Sequence, residues 1–123
     1  MFFYRNGKYY IKSGKGVVLM LFLSWDTVYN DKKRLIKLFE KEYRIEPIEM
    51  YTEETEQEVF YLGYRFKKDG KQVVIKVPFI KDKAERFAAY SNKWEMLINE
   101  KNVGTYKNVK EAFKVLQNEE NAS

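Results

Sequence analysis

The chain has 123 residues, of which 45% are hydrophobic and 33% charged, a balance that is typical of one small folded domain. It contains no cysteine and no histidine, which excludes disulfide bonds, cysteine-ligated zinc, thiol catalysis and histidine acid–base catalysis. We therefore expect a protein that is not an enzyme and has no metal site and no cofactor. We predict that residues 1–118 form one domain and that 119–123 form a frayed tail.

The formal net charge of +5 is unevenly distributed along the chain. Residues 40–58 contain eight glutamates against Lys41 and Arg44, whereas segments 1–39 and 59–93 are basic. Such an asymmetry is typical of a protein that docks on a charged partner in one orientation. The alternative is a mixed, solvated surface that binds nothing.

The N-terminal region begins with a predicted β-hairpin over residues 2–12. Asn6-Gly7 separates two aromatic runs and supplies the positive φ angles of a type I′ turn. A two-residue turn at this place pairs Tyr4 with Tyr9 and Phe2 with Ile11.

Residues 17–25 form the only long apolar run of the chain, and it is too short to span a bilayer as a helix. The run could be the core of a signal peptide, since Lys12 and Lys15 precede it. However, Asp26 follows directly and no small-x-small cleavage site is present. We therefore predict a buried central strand, and a cytoplasmic protein that does not associate with membranes.

The next segment predicts a helix over residues 27–43 that ends before Pro47, followed by a short strand over 48–52. The candidate N-caps of the helix are Ser24, Asp26 and Asn30. Its apolar stripe consists of Leu35, Leu38, Phe39 and Tyr43. We expect an acidic turn after the strand, formed by Glu53, Glu54, Thr55 and Glu56.

A second hairpin is predicted around Asp69-Gly70, where two alternating runs meet. Counting outward from the turn places eight apolar residues on one face, and a slip of one residue would scatter them. The predicted pairs are Phe66 with Val73, Tyr64 with Ile75, Leu62 with Val77, and Phe60 with Phe79. The opposite face then collects Tyr61, Gly63, Arg65, Lys67, Val74, Lys76 and Pro78.

The C-terminal third contains three further predicted elements. Asp82 and Glu85 have the spacing of a capping box and predict a short helix over residues 82–90. Two runs, WEMLI and VGTY, flank a turn at 99–102 and predict a third hairpin. A capping box of Asn108 and Glu111 begins a last helix over 108–118.

The step from strand to helix near the C-terminus resembles the corresponding part of phage-integrase arm-binding domains, in which a three-stranded sheet precedes a helix and reads DNA. The resemblance covers about ten residues and rests on Gly104, Thr105, Tyr106, Glu111 and Ala112. The arginine-rich strands of that family are missing, because Lys101 is the only basic residue in 94–106. No DNA-contacting residue is therefore carried over.

Together these elements predict an α+β fold with a single domain. We expect an antiparallel sheet built from β-hairpins, with the helices 27–43 and 108–118 packed on one face. The strand 17–25 is expected at the centre of this sheet.

Two kinds of candidate binding residues follow from the pattern. Cations neutralise phosphates and rings stack on bases, so basic and aromatic residues on one strand face favour nucleic-acid binding. The alternative is that these lysines protect exposed strands from edge pairing. The candidates are Tyr61, Arg65, Lys67 and Lys76 on the second hairpin, and Arg5, Lys8 and Tyr10 on the first.

The acidic segment offers a different interface. Glu53, Glu54 and Glu56 could steer the protein onto a basic protein partner, such as the phosphate-binding groove of a nucleic-acid enzyme. The alternative is a solvated acidic loop, since the cluster lacks the ligand spacing and glycine of a calcium loop.

The function that we favour from the sequence is stoichiometric binding to a macromolecule, as an inhibitor or adaptor of a nucleic-acid-handling protein. The 18 lysines against 5 arginines resemble the composition of low-GC bacteria and their phages, which favours an accessory protein of a phage or mobile element. The alternative function is direct, weakly specific binding of DNA or RNA through the basic and aromatic hairpin faces.

Overall fold

The computed structural model describes the backbone of residues 2–5, 8–13, 16–19 and 21–121, and the side chains of residues 21–118. Ten strands and three helices lie within these residues. In chain order they are β1 (Phe2–Arg5), β2 (Lys8–Ser13), β3 (Gly16–Leu19), β4 (Leu23–Ser24), α1 (Trp25–Lys33), α2 (Ile36–Tyr43), β5 (Glu49–Glu54), β6 (Val59–Lys68), β7 (Lys71–Lys81), β8 (Arg86–Ala89), β9 (Trp94–Ile98), β10 (Lys101–Tyr106) and α3 (Val109–Asn121).

The main sheet is a curled antiparallel sheet of seven strands, which confirms the predicted α+β class. Its strand order is β10-β9-β7-β6-β5, and β8 joins β7 and β4. The long strand β7 serves two neighbours on one side, because β9 pairs with residues 73–76 and β8 pairs with residues 79–81. The helices pack on one face of the sheet, and we call the opposite face the outer face.

The predicted register of the second hairpin is confirmed. Asp69 and Gly70 have φ angles of 52° and 77°, which the type I′ turn requires. The eight apolar residues therefore lie on the helix-covered face, and seven of them are buried. The observed pairs are Phe66 with Val73, Tyr64 with Ile75, Leu62 with Val77, and Phe60 with Phe79.

The third hairpin is also confirmed, with β9 and β10 as its strands. Its two-residue turn uses Asn99 and Glu100, whose φ angles are 51° and 69°. A bulge lies between Asn102 and Gly104 in β10. This bulge interrupts regular pairing at one edge of the main sheet.

The predicted central strand at 17–25 is wrong. The apolar run is divided between β3, which pairs with β2 in a separate three-stranded sheet, the two-residue strand β4, and the first residue of α1. The helix begins at Trp25 because the Ser24 hydroxyl accepts a hydrogen bond from the Thr27 amide at 3.2 Å. The first hairpin keeps its predicted backbone register, with Tyr4 opposite Tyr9 and Phe2 opposite Ile11.

The predicted helix 27–43 forms as one bent helix that begins at Trp25 and has a break at Arg34-Leu35 between α1 and α2. The buried Tyr64 hydroxyl donates a hydrogen bond of 2.7 Å to the Lys32 carbonyl next to this break. Burial raises the pKa of Tyr64, so its hydroxyl stays a neutral donor. The core of the sheet thus helps to satisfy the helix backbone at the bend.

Aromatic rings hold the helices on the sheet. Phe113 of α3 stacks on Tyr43 at a centroid distance of 4.5 Å, and on Phe66 at 5.5 Å. The side-chain oxygen of Asn108 accepts a hydrogen bond of 2.9 Å from the Glu111 amide, which confirms the predicted cap. The helix extends to Asn121, beyond its predicted end at residue 118.

The predicted short helix over 82–90 is wrong, because this segment is a turn followed by β8. The Asp82 carboxylate accepts the backbone amides of Ala84 and Arg86 at 2.9 Å and pairs with the Arg86 guanidinium. Burial raises the pKa of Asp82, but these hydrogen bonds together outweigh it and hold the pKa below its usual value. The same acidic residue that caps a helix can thus close a strand-to-strand turn.

Candidate functional site

The structure brings the two sequence-predicted binding regions together on the outer face. Because β5 pairs with β6, Glu49 lies opposite Arg65 and Glu53 lies opposite Tyr61. Lys76 of β7 lies opposite Gly63, in the next row of the same face. The acidic segment is therefore the neighbour of the basic and aromatic residues, which the sequence did not indicate.

Lys76 is the centre of a closed polar cluster, which we call the outer cluster and which consists of Tyr51, Glu53, Tyr61 and Lys76. The Lys76 ammonium lies 2.8 Å from the Glu53 carboxylate and 3.9 Å from the centroid of the Tyr61 ring. Only 8% of Lys76 is exposed. This lysine can contact a phosphate only after its internal partners are displaced.

Glu53 is held as a carboxylate by its neighbours. The hydrogen bond from Lys76 lowers the pKa of Glu53, burial opposes this, and a 2.9 Å hydrogen bond from the Tyr51 hydroxyl lowers it further. Burial also raises the pKa of Tyr51 to about 12, and its hydrogen bond to Glu53 adds to that shift. Near neutral pH, Glu53 is therefore a carboxylate and Tyr51 a neutral hydroxyl.

Arg65 and Lys67 differ in their surroundings. The Arg65 guanidinium pairs with Glu49 at 2.9 Å, and both side chains are about half exposed. An exposed pair of this kind contributes between about 0 and 1 kcal/mol, so Glu49 can be displaced readily. Lys67 is exposed and has no ion-pair partner among the described side chains.

The three predicted acidic residues do not share one surface. The predicted acidic turn at 53–56 is wrong, because β5 extends to Glu54 and the turn covers residues 55–58. Side chains alternate along a strand, so Glu53 lies on the outer face and Glu54 on the helix-covered face. Glu56 lies in the turn and is exposed.

The candidate residues of the first hairpin belong to β1 and β2. Arg5 lies opposite Lys8 in the backbone register, and Tyr10 lies opposite Phe3. The side chains of Arg5, Lys8 and Tyr10 lie outside the residues whose side chains the structure describes.

A pocket that the sequence did not predict lies where the helix-covered face meets the edge of β5. We call it the aromatic pocket; it has a volume of about 180 Å³ and is lined by Trp25, Thr52, Glu53, Glu54, Phe60 and Phe87. Phe87 lies 4.9 Å from Trp25 and 5.1 Å from Phe60 between ring centroids, the latter in an edge-to-face arrangement. The pairing of β4 with β8 brings Trp25 to Phe87, and no local sequence signal indicates that pairing.

Two general features of the described residues bear on function. Among residues with described side chains, no group of three or more acidic residues is arranged to hold a metal ion. No helix in the described part of the chain is long and apolar enough to cross a membrane.

A family model matches residues 22–116 of the chain, which is most of its length. The chain belongs to the family of unknown function DUF5634. The DUF5634 region contains α1, α2, the main sheet and the first turns of α3, whereas β1, β2 and β3 precede it. None of the curated proteins matches the chain.

The DUF5634 region contains the whole outer cluster and the whole aromatic pocket. Arg5, Lys8 and Tyr10 lie outside it.

Proposed function

We propose that this protein is a stoichiometric, non-enzymatic binding protein that docks a basic segment of a protein partner on the acidic edge strand β5. A partner that handles nucleic acid would present such a basic segment, and the protein would act on it as an inhibitor or adaptor. We place this function in the cytoplasm, as an accessory protein of a phage or mobile element.

The observation that supports this proposal is the edge position of β5. Within the strands that the structure describes, β5 pairs only with β6, so its other edge offers unpaired backbone groups. An extended peptide can add to such an edge by backbone hydrogen bonds. The opposite edge strand, β10, carries the bulge between Asn102 and Gly104, which makes it a poorer template.

Charge gives β5 its specificity for a basic segment. Glu54 is exposed and has no ion-pair partner among the described side chains, and Glu56 follows in the turn. The basic residues that face β5 on the sheet, Arg65 and Lys76, are already paired with Glu49 and Glu53. The free charge at this edge is therefore negative.

A labelled octapeptide of alternating lysine and valine tests the proposal with the full-length protein. We expect binding that shifts the backbone amide resonances of β5 in nuclear magnetic resonance (NMR) spectra and weakens as salt rises. Glu54→Gln should weaken it about threefold, as expected for one exposed charge pair.

Glu42→Gln is the matched control, because Glu42 is an exposed glutamate on α2 and not on β5. We expect it to leave peptide binding unchanged. Equal effects of the two variants, or amide shifts outside β5 only, would reduce the binding to non-specific charge attraction and reject the proposal.

A second candidate, direct and weakly specific nucleic-acid binding, has one supporting observation. An open cavity of about 590 Å³ has Arg44, Lys67 and Lys68 among its lining residues, together with the carboxylates of Glu46 and Asp69. Cations at the rim of a groove can follow a phosphate backbone.

Salt dependence tests this second candidate. Each phosphate contact contributes roughly 0.7 to 0.9 to the slope of log affinity against log salt. We expect Lys67→Gln to remove about one such contact, and Lys76→Gln to change the slope much less, because Lys76 is paired internally. No retardation of single-stranded or double-stranded DNA or RNA by the wild-type protein at low salt would exclude the second candidate.

A further inference from the structure

We propose that the aromatic pocket receives one lysine or arginine side chain of the segment that docks on β5. That this side chain belongs to a segment docked on β5 rests on the proposed function. The affinity of the pocket for a cation can be measured independently of it. The pocket lies beside the free edge of β5, because Thr52 and Glu54 of this strand form part of its lining.

The position of the pocket suits a side chain of a strand added to β5. Glu54 lies directly opposite Phe60 in the β5–β6 register, so both residues are on the helix-covered face. Side chains of an added strand would alternate between the two faces, and every second one would point toward this side of the sheet. The pocket has a volume of about 180 Å³. This is room for the end of a lysine or arginine side chain.

The lining chemistry matches a cation. Indole and phenyl rings attract an ammonium or guanidinium group placed over their faces, and tryptophan is the strongest of them. Trp25 and Phe60 are half-buried, so their rings are partly accessible, while Phe87 is buried behind them. The exposed Glu54 adds a carboxylate that lacks an ion-pair partner among the described side chains.

The same molecule already holds ammonium groups in this way. In the outer cluster, Lys76 lies 3.9 Å from the Tyr61 ring centroid and 2.8 Å from the Glu53 carboxylate. Beside the pocket, the Lys81 ammonium lies 5.1 Å from the centroid of Phe60. The aromatic pocket likewise combines aromatic rings with glutamates, among them Glu53 of the outer cluster, but no lysine is among the described residues that line it.

The ammonium group of Lys81 lies beside the aromatic pocket and should affect its affinity for a cation. Lys81 lies opposite Phe87 in the β7–β8 register and is in contact with the Phe60 ring, but it does not line the pocket. Its positive charge repels an incoming cation and competes for the same ring. Lys81→Gln should therefore tighten cation binding, which a purely apolar crevice would not show.

The first experiment uses the full-length protein and two small probes, n-butylammonium and the neutral n-butanol, with NMR as the readout. We expect n-butylammonium to shift the Trp25 indole resonance and the amide resonances of Thr52 and Glu54 saturably. At equal concentration n-butanol should shift them much less. Equal shifts for both probes would identify an apolar crevice and overturn the inference.

Variants at exposed or half-exposed positions locate the binding. Glu54→Gln and Phe60→Leu should each weaken n-butylammonium binding about three- to tenfold, and Lys81→Gln should strengthen it about two- to threefold. Glu42→Gln, far from the pocket on α2, should change nothing. Unfolding curves of each variant show whether it remains folded. An unchanged affinity in folded Glu54→Gln and Phe60→Leu would overturn the inference.

A second experiment separates the pocket from the docking on β5. An extended peptide with a single lysine is compared with the same peptide carrying norleucine, which has the same length without the charge. Tighter binding of the lysine peptide that is lost in Phe60→Leu supports the pocket. Shifts of β5 amides by both peptides with equal affinity support docking alone and reject the pocket. Binding of n-butylammonium without binding of either peptide supports the pocket and rejects docking.

Discussion

The outer cluster and the aromatic pocket are built from the same kinds of groups, and they meet at Glu53, which belongs to the cluster and also lines the pocket. Each combines aromatic rings with a glutamate from the end of β5: Glu53 on the outer face and Glu54 on the helix-covered face. The outer cluster also contains its own cation, Lys76, whereas the described residues that line the pocket include no lysine. Adjacent residues of one strand thus have different environments, one internally neutralised and one open to a ligand.

Under the proposed function, this difference would assign stability to one residue of β5 and binding to the next. Glu53 contacts Lys76 and Tyr51, so its charge is compensated within the fold. The charge of Glu54 faces solvent. Polar groups that are paired with one another, as in the outer cluster, stabilise the sheet. An exposed carboxylate such as that of Glu54 can pair with a cation of a partner.

The largest expected effect concerns the close contact of β6 and β7 beneath the outer cluster. A Cβ atom on Gly63 would lie 1.9 Å from the Ile75 carbonyl oxygen and 2.7 Å from the Lys76 Cα. We expect Gly63→Ala to lower the free energy of unfolding by about 3 kcal/mol or more, because backbone atoms must move. Urea denaturation measures this loss.

Gly70→Ala is the comparison for that prediction. Gly70 has a φ of 77° and no atom within 4 Å of an added Cβ. Only the left-handed conformation opposes this substitution, which should cost about 1 to 2 kcal/mol. Similar losses in the two variants would show that the contact between β6 and β7 relaxes easily.

The second expected effect separates the two neighbouring glutamates. Glu53→Gln removes a charge from a partly buried pair and should lower the free energy of unfolding by about 1 to 2 kcal/mol. Glu54 is exposed, so Glu54→Gln should change the free energy of unfolding by less than about 0.5 kcal/mol. Thermal denaturation measures both stability losses. For cation binding we expect the opposite order, with the larger loss in Glu54→Gln. A larger stability loss in Glu54→Gln would contradict the division between the two faces.

The smallest expected effect is the dependence of that stability difference on pH. The pKa of Glu53 is lowered in the folded protein, chiefly by the hydrogen bond from Lys76. Its contribution is therefore complete above the unfolded pKa of about 4.3 and is lost as pH falls through the lower folded pKa. The stability difference between wild type and Glu53→Gln should shrink from pH 6 toward pH 3. A constant difference over this range would mean that the charge of Glu53 contributes nothing.

Much of the sheet could be predicted because its signals are local. Asp69-Gly70 sets both turn and register of the second hairpin, and the alternation of apolar residues excludes a one-residue slip. The helix predicted over 82–90 was wrong because an aspartate side chain that accepts hydrogen bonds from the following backbone amides can either begin a helix or close a turn. The hydrogen bonds of Asp82 to Ala84 and Arg86 decide for the turn.

The candidate sites were predicted only in part. Arg65, Lys67 and Lys76 share a strand face by simple alternation, as the sequence indicates. Their acidic partners are on β5, and the turn at 55–58 that joins β5 to β6 has no Asn-Gly or Asp-Gly signal to fix the register. Trp25 and Phe87 come together only through β4 and β8, so the aromatic pocket had no local signature.

The sequence by itself determined the hairpins at 2–12, at Asp69-Gly70 and at 94–106, the cap at Asn108, and the residues on each face of the second hairpin, because turns and alternation act over a few residues. The tertiary structure alone decided how these hairpins and the remaining strands pair with one another. Backbone hydrogen bonds are alike for every pair of strands, so edge pairing depends on how the whole apolar layer is buried beneath α1, α2 and α3. That choice gave Lys76 its glutamate and left Glu54 beside the aromatic pocket with no ion-pair partner among the described side chains.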